Sequence, residues 1–448
     1  MNETIAAIAT PPGRGAIAIV RCTGPAARAI AARVFRSSTP LRDRVATYGD
    51  VLDVDGNVID RGLALAMDGP RTATGEDVVE LHVHGSPVVA REALRALLHA
   101  GAHAAGPGDF TRRAFLNGKL DLSAAEAVAD VIDAESRAAA LAAQANLTGG
   151  LRTAIERVRG ALLALLEELA GAIDYPDEVP EPAHAEFNAR LSAADDALVA
   201  LVRDWERGRL VREGLSLAIV GPPNAGKSSL LNALVGEERA IVAPVAGTTR
   251  DIIEERFLID GVPVRVLDTA GLRKSDDAVE RIGIERARRA LAACAVALVV
   301  VDGSQPLDAD ALDVLAATRS QPRVVFFNKA DLGCDDAAAR AVDADAIVGS
   351  AWDAATVDAI AQAIARAGWR GERIDLARPH LASARQAAAV ARAREALLHA
   401  REILIAGDAL DLVAPELLSA VAALGEITGA VATEAMLDGI FARFCVGK

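Results

Sequence analysis

The 448-residue sequence predicts an α/β fold joined to a separate all-α part. Three observations predict it. Short apolar runs separated by turn residues fill residues 1–118; leucines and alanines recur every three or four positions over 119–212 and again after 378; between those helical stretches the pattern changes to strands alternating with helices. Composition agrees, with hydrophobic residues at 52% and aromatics at only 3%, since an apolar share made mostly of alanine, leucine and valine favours closely packed helices. A chain this long exceeds what one core organises, so about three domains are expected.

The elements follow in order. Thr4 to Thr10 and Gly15 to Arg21 are apolar runs about a Pro11-Pro12-Gly13-Arg14-Gly15 turn, the pattern of paired strands. Gly62 to Met67 and Asp77 to His84 read as further strands and Pro87 to Ala100 as a helix, giving an N-terminal α/β domain over 1–118. From Leu120 to Arg212 the spacing of Leu162, Leu163, Leu165, Leu166 and Leu169 predicts long amphipathic helices, with an acidic, proline-bearing break at Pro176 to Pro182. Helical texture returns through Ala382 to Ala406 and Leu410 to Leu424. Residues 119–212 and 378–448 are therefore expected to form one discontinuous helical domain around an inserted α/β domain at 213–377.

Several function classes are disfavoured. A formal charge of −14 repels polyanions on average, so any RNA partner must meet a local basic patch. Cys22, Cys294, Cys334 and Cys445 lie far apart with no CxxC pair, as expected for reduced thiols or for one working thiol. The longest strongly apolar stretch, Leu291 to Val301, is too short to span a bilayer and Met1-Asn2-Glu3 opens no signal sequence, which predicts a cytoplasmic protein with no membrane partner. His82 and His84 share a strand face, but no third ligand lies near in sequence, so ordinary packing or surface roles are expected. Arg112, Arg113 and Lys119 form a small basic cluster, either a solvated face or a contact for phosphates or carboxylates.

The inserted domain carries the chemistry. Leu215 to Val220 is a buried strand, Gly221-Pro-Pro-Asn-Ala-Gly-Lys227-Ser228 is a complete G-x-x-x-x-G-K-[ST] loop, and Ser229 to Val235 opens a helix. Backbone N–H groups of Asn224, Ala225, Gly226, Lys227, Ser228 and Ser229 are candidates to face the phosphates, with Lys227 against the β and γ oxygens and Ser228 on magnesium. Gly247-Thr-Thr-Arg-Asp251 supplies a hydroxyl, Thr249, for the metal when γ-phosphate is present; the preceding Ala243, Pro244, Val245 and Ala246, with Gly247 and Thr248, join the same loop. Asp268-Thr269-Ala270-Gly271 ends a strand in an outer-shell carboxylate and a glycine N–H for the γ-phosphate. Asn328, Lys329 and Asp331 follow a strand, and a carboxylate there accepts both N–H groups of the guanine edge, which adenine does not offer. Ser350, Ala351 and Trp352 follow the last strand as further base contacts. These parts, in this order, predict an inserted P-loop GTPase domain of Ras-like fold that uses GTP and Mg2+. Leu272 stands where many GTPases carry the glutamine that orients water, so another group must position the nucleophile.

With Asn224-Ala-Gly-Lys-Ser228, Gly247-Thr-Thr-Arg-Asp251, Asp268-Thr-Ala-Gly-Leu-Arg273 and Val279-Glu-Arg-Ile-Gly-Ile-Glu-Arg286, the sequence resembles the MnmE (TrmE) family of tRNA-modification GTPases. Outside the switch, Thr10-Pro-Pro-Gly-Arg-Gly15, Thr74-Gly-Glu-Asp77, Phe110 to Asp121 and Arg443-Phe-Cys-Val-Gly-Lys448 carry the same likeness, with Val446 where the family usually has isoleucine. The resemblance implies a homodimer formed through a folate-binding-like N-terminal domain. It also implies action with a flavin-dependent partner, MnmG (GidA), holding FAD, on carbon-5 of the wobble uridine of certain tRNAs, with a tetrahydrofolate derivative as one-carbon source. By position, Arg21, Glu80, Lys119 and Lys448 would line the folate site, and Cys445 would be either a thiol nucleophile or a packing residue beside it. The family's potassium-stimulated hydrolysis would draw K+ to Asn224, the carbonyls of Ala243 and Val245, and Thr248, and Glu280 would orient the attacking water. A ribosome-assembly GTPase shares the phosphate loop and the base loop and is the alternative, though such proteins are expected to carry a compact RNA-binding module that the flanking helices here do not resemble.

Overall fold

The computed structural model describes residues 3–175, 177–180, 182–239, 255–267, 289–369, 380–406 and 410–447. These gather into two compact units, one of Met1–Ala129, Asn146–Val199 and Ser383–Lys448, the other of Asp130–Ala145 and Ala200–Ala382.

The first unit begins with β1 (Ile5–Ile8) and β2 (Ile17–Thr23), antiparallel with Ile5 opposite Thr23, as the two apolar runs predict. After α1 (Ala27–Val34) come β3 (Phe35–Arg36), β4 (Ala46–Leu52), β5 (Val58–Met67) and β6 (Val78–His84), then α2 (Pro87–His99) and β7 (His103–Ala104), in a seven-stranded sheet ordered β3-β4-β5-β6-β2-β1-β7. Period-two alternation sends Val20, Ala64, Leu81 and Val83 to one face, where Ile30, Ala31, Ala93 and Leu97 of α1 and α2 cover them. The opposite face leaves Tyr48, Leu63 and Ile17 exposed. β4 is not legible as a strand because Gly49 interrupts it, yet that glycine is required: a Cβ there would stand 2.5 Å from the Arg36 carbonyl oxygen and 2.6 Å from the Phe35 ring.

The helices of this unit are α3 (Asp109–Leu116), α4 (Leu122–Ile132), the end of α5 (Arg137–Leu147), α6 (Gly150–Asp174) and the first part of α7 (His184–Glu213). Leu151, Ile155, Val158, Leu162, Leu165 and Leu169 of α6 are buried at alternating intervals of three and four, the stripe the leucine spacing predicts. The C-terminal tail returns to the sheet end: Val446 bridges Pro107, and Gly447 lies so close to β1 that a Cβ would meet the Ile8 carbonyl oxygen at 2.4 Å.

The second unit is built on a six-stranded sheet of β8 (Leu215–Val220), β9 (Glu255–Ile259), β10 (Val262–Leu267), β11 (Val296–Asp302), β12 (Arg323–Asn328) and β13 (Ile347–Val348). Its order is β13-β12-β11-β8-β10-β9, parallel except for edge strand β9. Strands buried on both faces read as unbroken apolar runs, and Val296 to Val301 are all buried. One face is packed by α8 (Lys227–Arg239) through Leu230, Leu231 and Leu234, and by the helix Ala354–Trp369 through Val357, Ile360 and Ile364. Ala311, Leu315 and Ala339 pack on the other. Within this unit Ala138 and Ala139 of α5 lie against Val262, and Glu135 pairs with Arg256. No helix among the described residues is long and apolar enough to cross a membrane.

Candidate functional site

The phosphate loop leaves β8 at Gly221. That residue has φ 152 and runs so close to β11 that a Cβ would stand 2.0 Å from the Val300 carbonyl oxygen. Asn224 and Gly226 take positive φ, 60 and 95, which turns successive N–H groups toward one side and hands the chain to α8 at Lys227. The Lys227 ammonium folds over the loop and donates to the carbonyls of Gly221 at 2.9 Å and Pro222 at 2.6 Å. Burial lowers its pKa. Its hydrogen bonds go to neutral carbonyls, so the positive charge is available to an anion. Ser228, the next residue, is exposed at the first turn of α8, where a hydroxyl can reach a metal ion beside the phosphates.

Asn328 ties this loop to the segments expected to contact the base. It is 4% exposed. Its Nδ2 donates to the Ala225 carbonyl at 2.9 Å and its Oδ1 accepts from the Ala351 N–H at 2.9 Å. Ala225 and Ala351 are themselves 1% and 2% exposed, so one amide satisfies two buried backbone groups in loops more than a hundred residues apart. Gly226 must be glycine for the same reason, since a Cβ there would meet Asn328 Nδ2 at 2.1 Å. Lys329 follows with φ 63, a left-handed conformation rare for a side chain of this size. Its Nζ donates to Asp302 Oδ2 at 2.6 Å. A single 3-10 turn, Ala330–Leu332, then presents Asp331 at the surface, and the Ala330 N–H donates to the Gly349 carbonyl at 3.0 Å. Trp352 is 83% exposed just beyond Ser350 and Ala351. Asn224, Ala225, Gly226, Lys227, Ser228, Ser229, Asn328, Lys329, Asp331, Ser350, Ala351 and Trp352 thus sit on the loops at the C-terminal ends of β8, β12 and β13, the edge at which open α/β sheets bind ligands.

Asp302 is the residue that sequence reasoning missed. It ends β11. Burial raises its pKa but hydrogen bonds from Lys329 and Ser304 outweigh that, and the carboxyl is held below its usual range. Its one sequence signal is position: an Asp-Gly-Ser at the end of a parallel strand, next to the strand that carries Asn328.

In the first unit Arg21 and Glu80 are cross-strand partners on β2 and β6, joined at 2.9 Å on the open side of the sheet. Arg21 also donates to the Gly447 carbonyl at 3.5 Å and lies 5.7 Å from the Phe110 ring centroid. The tail carrying Cys445 therefore passes beside Arg21 at Gly447. Cys445 is exposed, and its carbonyl accepts from the Gly108 N–H at 3.4 Å. Lys119 Nζ donates to the Pro70 carbonyl at 3.1 Å. The expected basic cluster does not form a shared face: Arg112 pairs with Glu434 at 2.7 Å and Asp438 at 2.9 Å, whereas Arg113 is buried against Glu76 at 2.8 Å. Consecutive helical residues point to different sides, which separates them. His82 bonds Glu80 at 3.1 Å and His84 bonds Asp60 at 2.8 Å. Among the described residues no group of three or more His, Cys, Asp or Glu is placed to hold a metal ion.

Ala243, Pro244, Val245, Ala246, Gly247, Thr248, Thr249, Asp268, Thr269, Ala270, Gly271, Glu280 and Lys448 lie outside the described residues.

A strand–loop–helix with a lysine poised over its own carbonyls, braced by an asparagine from the base-recognition loop, defines a P-loop protein of the GTPase class. The comparisons narrow this. The family model of the MnmE helical domain matches residues 122–445, and that of the GTP-binding protein TrmE N-terminus matches 4–119. A tRNA modification GTPase MnmE from Chloroflexus aurantiacus is 45% identical over 100% of both chains, and one from Symbiobacterium thermophilum is 46% identical, again over 100% of both. The chain belongs to the MnmE family of tRNA modification GTPases. Among solved structures, Aquifex aeolicus Era bound to GDP and AlF4 is 25% identical and covers 41% of this chain and 67% of its own, with a TM-score of 0.28; that likeness carries no part of the assignment.

Proposed function

We propose that this chain is a GTP-hydrolysing tRNA modification enzyme which, with a flavin-dependent MnmG-type partner holding FAD, adds an aminomethyl-type group such as carboxymethylaminomethyl to carbon-5 of the wobble uridine. One observation carries the reading: relatives named tRNA modification GTPase MnmE match the chain end to end at 45% identity, so the likeness includes the flanking domains as well as the switch.

In the switch, Lys227 and the N–H groups of residues 224–229 hold the phosphates, and Asp331 reads the guanine edge. Ser228 would ligate Mg2+ with Thr249. Asn224, exposed and in a left-handed turn, would offer its side-chain oxygen to K+ together with Ala243, Val245 and Thr248. Held by these residues, the two cations would supply positive charge beside the phosphoryl group. Glu280 would orient the water that Leu272 cannot.

The folate reading draws support from chemistry at one sheet end. Arg21 offers a guanidinium to carboxylates, Glu80 retains acceptor capacity for pterin N–H groups, and Lys119 adds a second cation. Lys448 follows directly on Gly447, whose carbonyl contacts Arg21. Cys445 is accessible on the same tail, as either a nucleophile or a pocket residue. The exposed Ile17, Tyr48 and Leu63 on the open sheet face support a homodimer formed through this domain. A tRNA substrate and reduced cysteines accord with a cytoplasmic location.

The test is mass spectrometry of tRNA nucleosides from cells lacking the protein, re-supplied with wild type or Lys227→Ala. Loss of a 5-substituted uridine restored only by wild type is expected; unchanged nucleosides in the deletion strain would turn the reading toward ribosome assembly.

A further inference from the structure

Asp302 lies outside every recognised nucleotide motif, yet among the described residues its carboxylate is heavily bonded beside the base loop. Its Oδ2 accepts from Lys329 Nζ at 2.6 Å, and its Oδ1 accepts from the Ser304 N–H at 3.0 Å and the Ser304 hydroxyl at 2.6 Å. Both oxygens are fixed, so the carboxylate does not rotate freely. The connection is doubled in the backbone, where the Gly303 N–H donates to the Asn328 carbonyl at 2.7 Å. Gly303 is closely hemmed, since a Cβ there would meet Cys334 Sγ at 2.8 Å and the Asn328 carbonyl oxygen at 3.0 Å.

At the other end of the pair, Lys329 occupies a left-handed backbone position with φ 63 and ψ 31 and caps the turn that carries Asp331. A bulky residue persists in such a conformation only where its surroundings over-determine it. Two restraints on Lys329 are visible: Asn328, pinned to both neighbouring loops, and the ammonium, pinned to Asp302. A lysine held at both ends presents its four-carbon stem as a flat apolar surface next to the Asp331 carboxylate. An untethered lysine would lose rotamer freedom on binding a ligand.

We infer that Asp302 is a positioning residue for guanine nucleotides: it tethers Lys329 so that the lysine stem forms one wall of the base slot while Asp331 reads the base edge. The inference rests on the GTPase reading and deepens it. The slot wall touches only the base, so its loss weakens GDP and GTP alike and leaves the chemical step at saturation largely alone.

The test is titration of the full-length protein with GDP and with a non-hydrolysable GTP analogue, beside steady-state GTP hydrolysis. Asp302→Asn is expected to raise both dissociation constants by about five- to tenfold and by the same factor, with kcat at saturating GTP within about twofold. Asp302→Glu restores part of the loss. Lys329→Met, which keeps most of the stem but not the charge, is expected to show the same loss, and the double variant no more than either single one; this series also serves if Asp302→Asn fails to fold. Dissociation constants within twofold of wild type in Asp302→Asn, or in Lys329→Met, would overturn the proposal, as would a loss confined to the GTP analogue. Failure of the wild-type protein to bind GDP would instead strike the GTPase reading itself.

Discussion

Asn328→Ala tests whether the nucleotide site is pre-organised by one buried amide. The substitution removes two hydrogen bonds, to the Ala225 carbonyl and from the Ala351 N–H, each 2.9 Å long. Both backbone partners are almost wholly buried, so neither recovers a water molecule without rearrangement. Each lost neutral bond is worth about 1 kcal/mol, and a buried group left unpaired costs about 1–3 kcal/mol. Taking about 1.5 kcal/mol, the lower part of that range, for each of the two orphaned backbone groups gives a destabilisation of about 3 kcal/mol. For a unit of this size that is a fall of about 6–12 °C in its melting transition, at about 2–4 °C per kcal/mol. Affinity falls too, because the phosphate loop and the base loop no longer share a brace. Thermal unfolding with and without GDP, together with GDP titration, measures both effects. Asn328→Asp refines the test by keeping an acceptor for Ala351 while setting a carboxylate against the Ala225 carbonyl, and it is expected to be at least as damaging. A melting temperature within about 2 °C of wild type, with GDP affinity unchanged, would refute the reasoning.

Three other expectations bear on the switch. Glu280→Ala is expected to slow GTP turnover by about 10²-fold or more, in the range of a lost general base, with nucleotide affinity nearly unchanged; equal loss of affinity in a binding assay removes Glu280 from that role. GTP hydrolysis is expected to run faster in potassium than in sodium at matched ionic strength and to rise with protein concentration, and identical rates in the two salts would sink the potassium assignment. Burial lowers the Lys227 pKa below the ordinary lysine value. Between that lowered value and about 10.4 the unfolded chain binds more protons than the native one, so the nucleotide-free protein gains stability from this group as pH rises. Over the same window phosphate affinity falls as the cation is lost. GDP titration and thermal unfolding across alkaline pH are expected to move in these opposite directions, a dependence that Lys227→Arg removes.

Much of this architecture was legible because the local signals agree with one another. The run Leu215 to Val220, the glycines of the loop and the helical pattern over Ser229 to Val235 each point to the same strand–loop–helix, and the structure has it, with the helix beginning at Lys227. The alternation in Val78 to His84 and the three-and-four spacing of Leu162, Leu165 and Leu169 are equally direct. Other elements of the N-terminal domain were hidden, β4 and α1 among them. β4 carries Gly49 and Asp50, and α1 is only eight residues long with no side-chain N-cap; tertiary contacts hold both where local propensity is weak. At the candidate site, the residues expected at the phosphates and the base stand in recognisable motifs, whereas Asp302 stands in none. Its role depends on β11 lying next to β12, a sheet order that no single-strand pattern contains. The same holds for Arg112 and Arg113, adjacent in sequence yet committed to different acids, Glu434 and Glu76, from distant segments.

GTP hydrolysis by this chain is expected to drive a tRNA modification. The most direct measurement is reconstitution: the purified chain, a flavin-dependent MnmG partner, a folate one-carbon donor, a nitrogen donor and unmodified tRNA, with either GTP or a non-hydrolysable analogue, followed by nucleoside mass spectrometry. A 5-substituted wobble uridine formed with GTP but not with the analogue, and not by Lys227→Ala, is the predicted result. Equal product with the analogue, or with no nucleotide at all, would contradict the account.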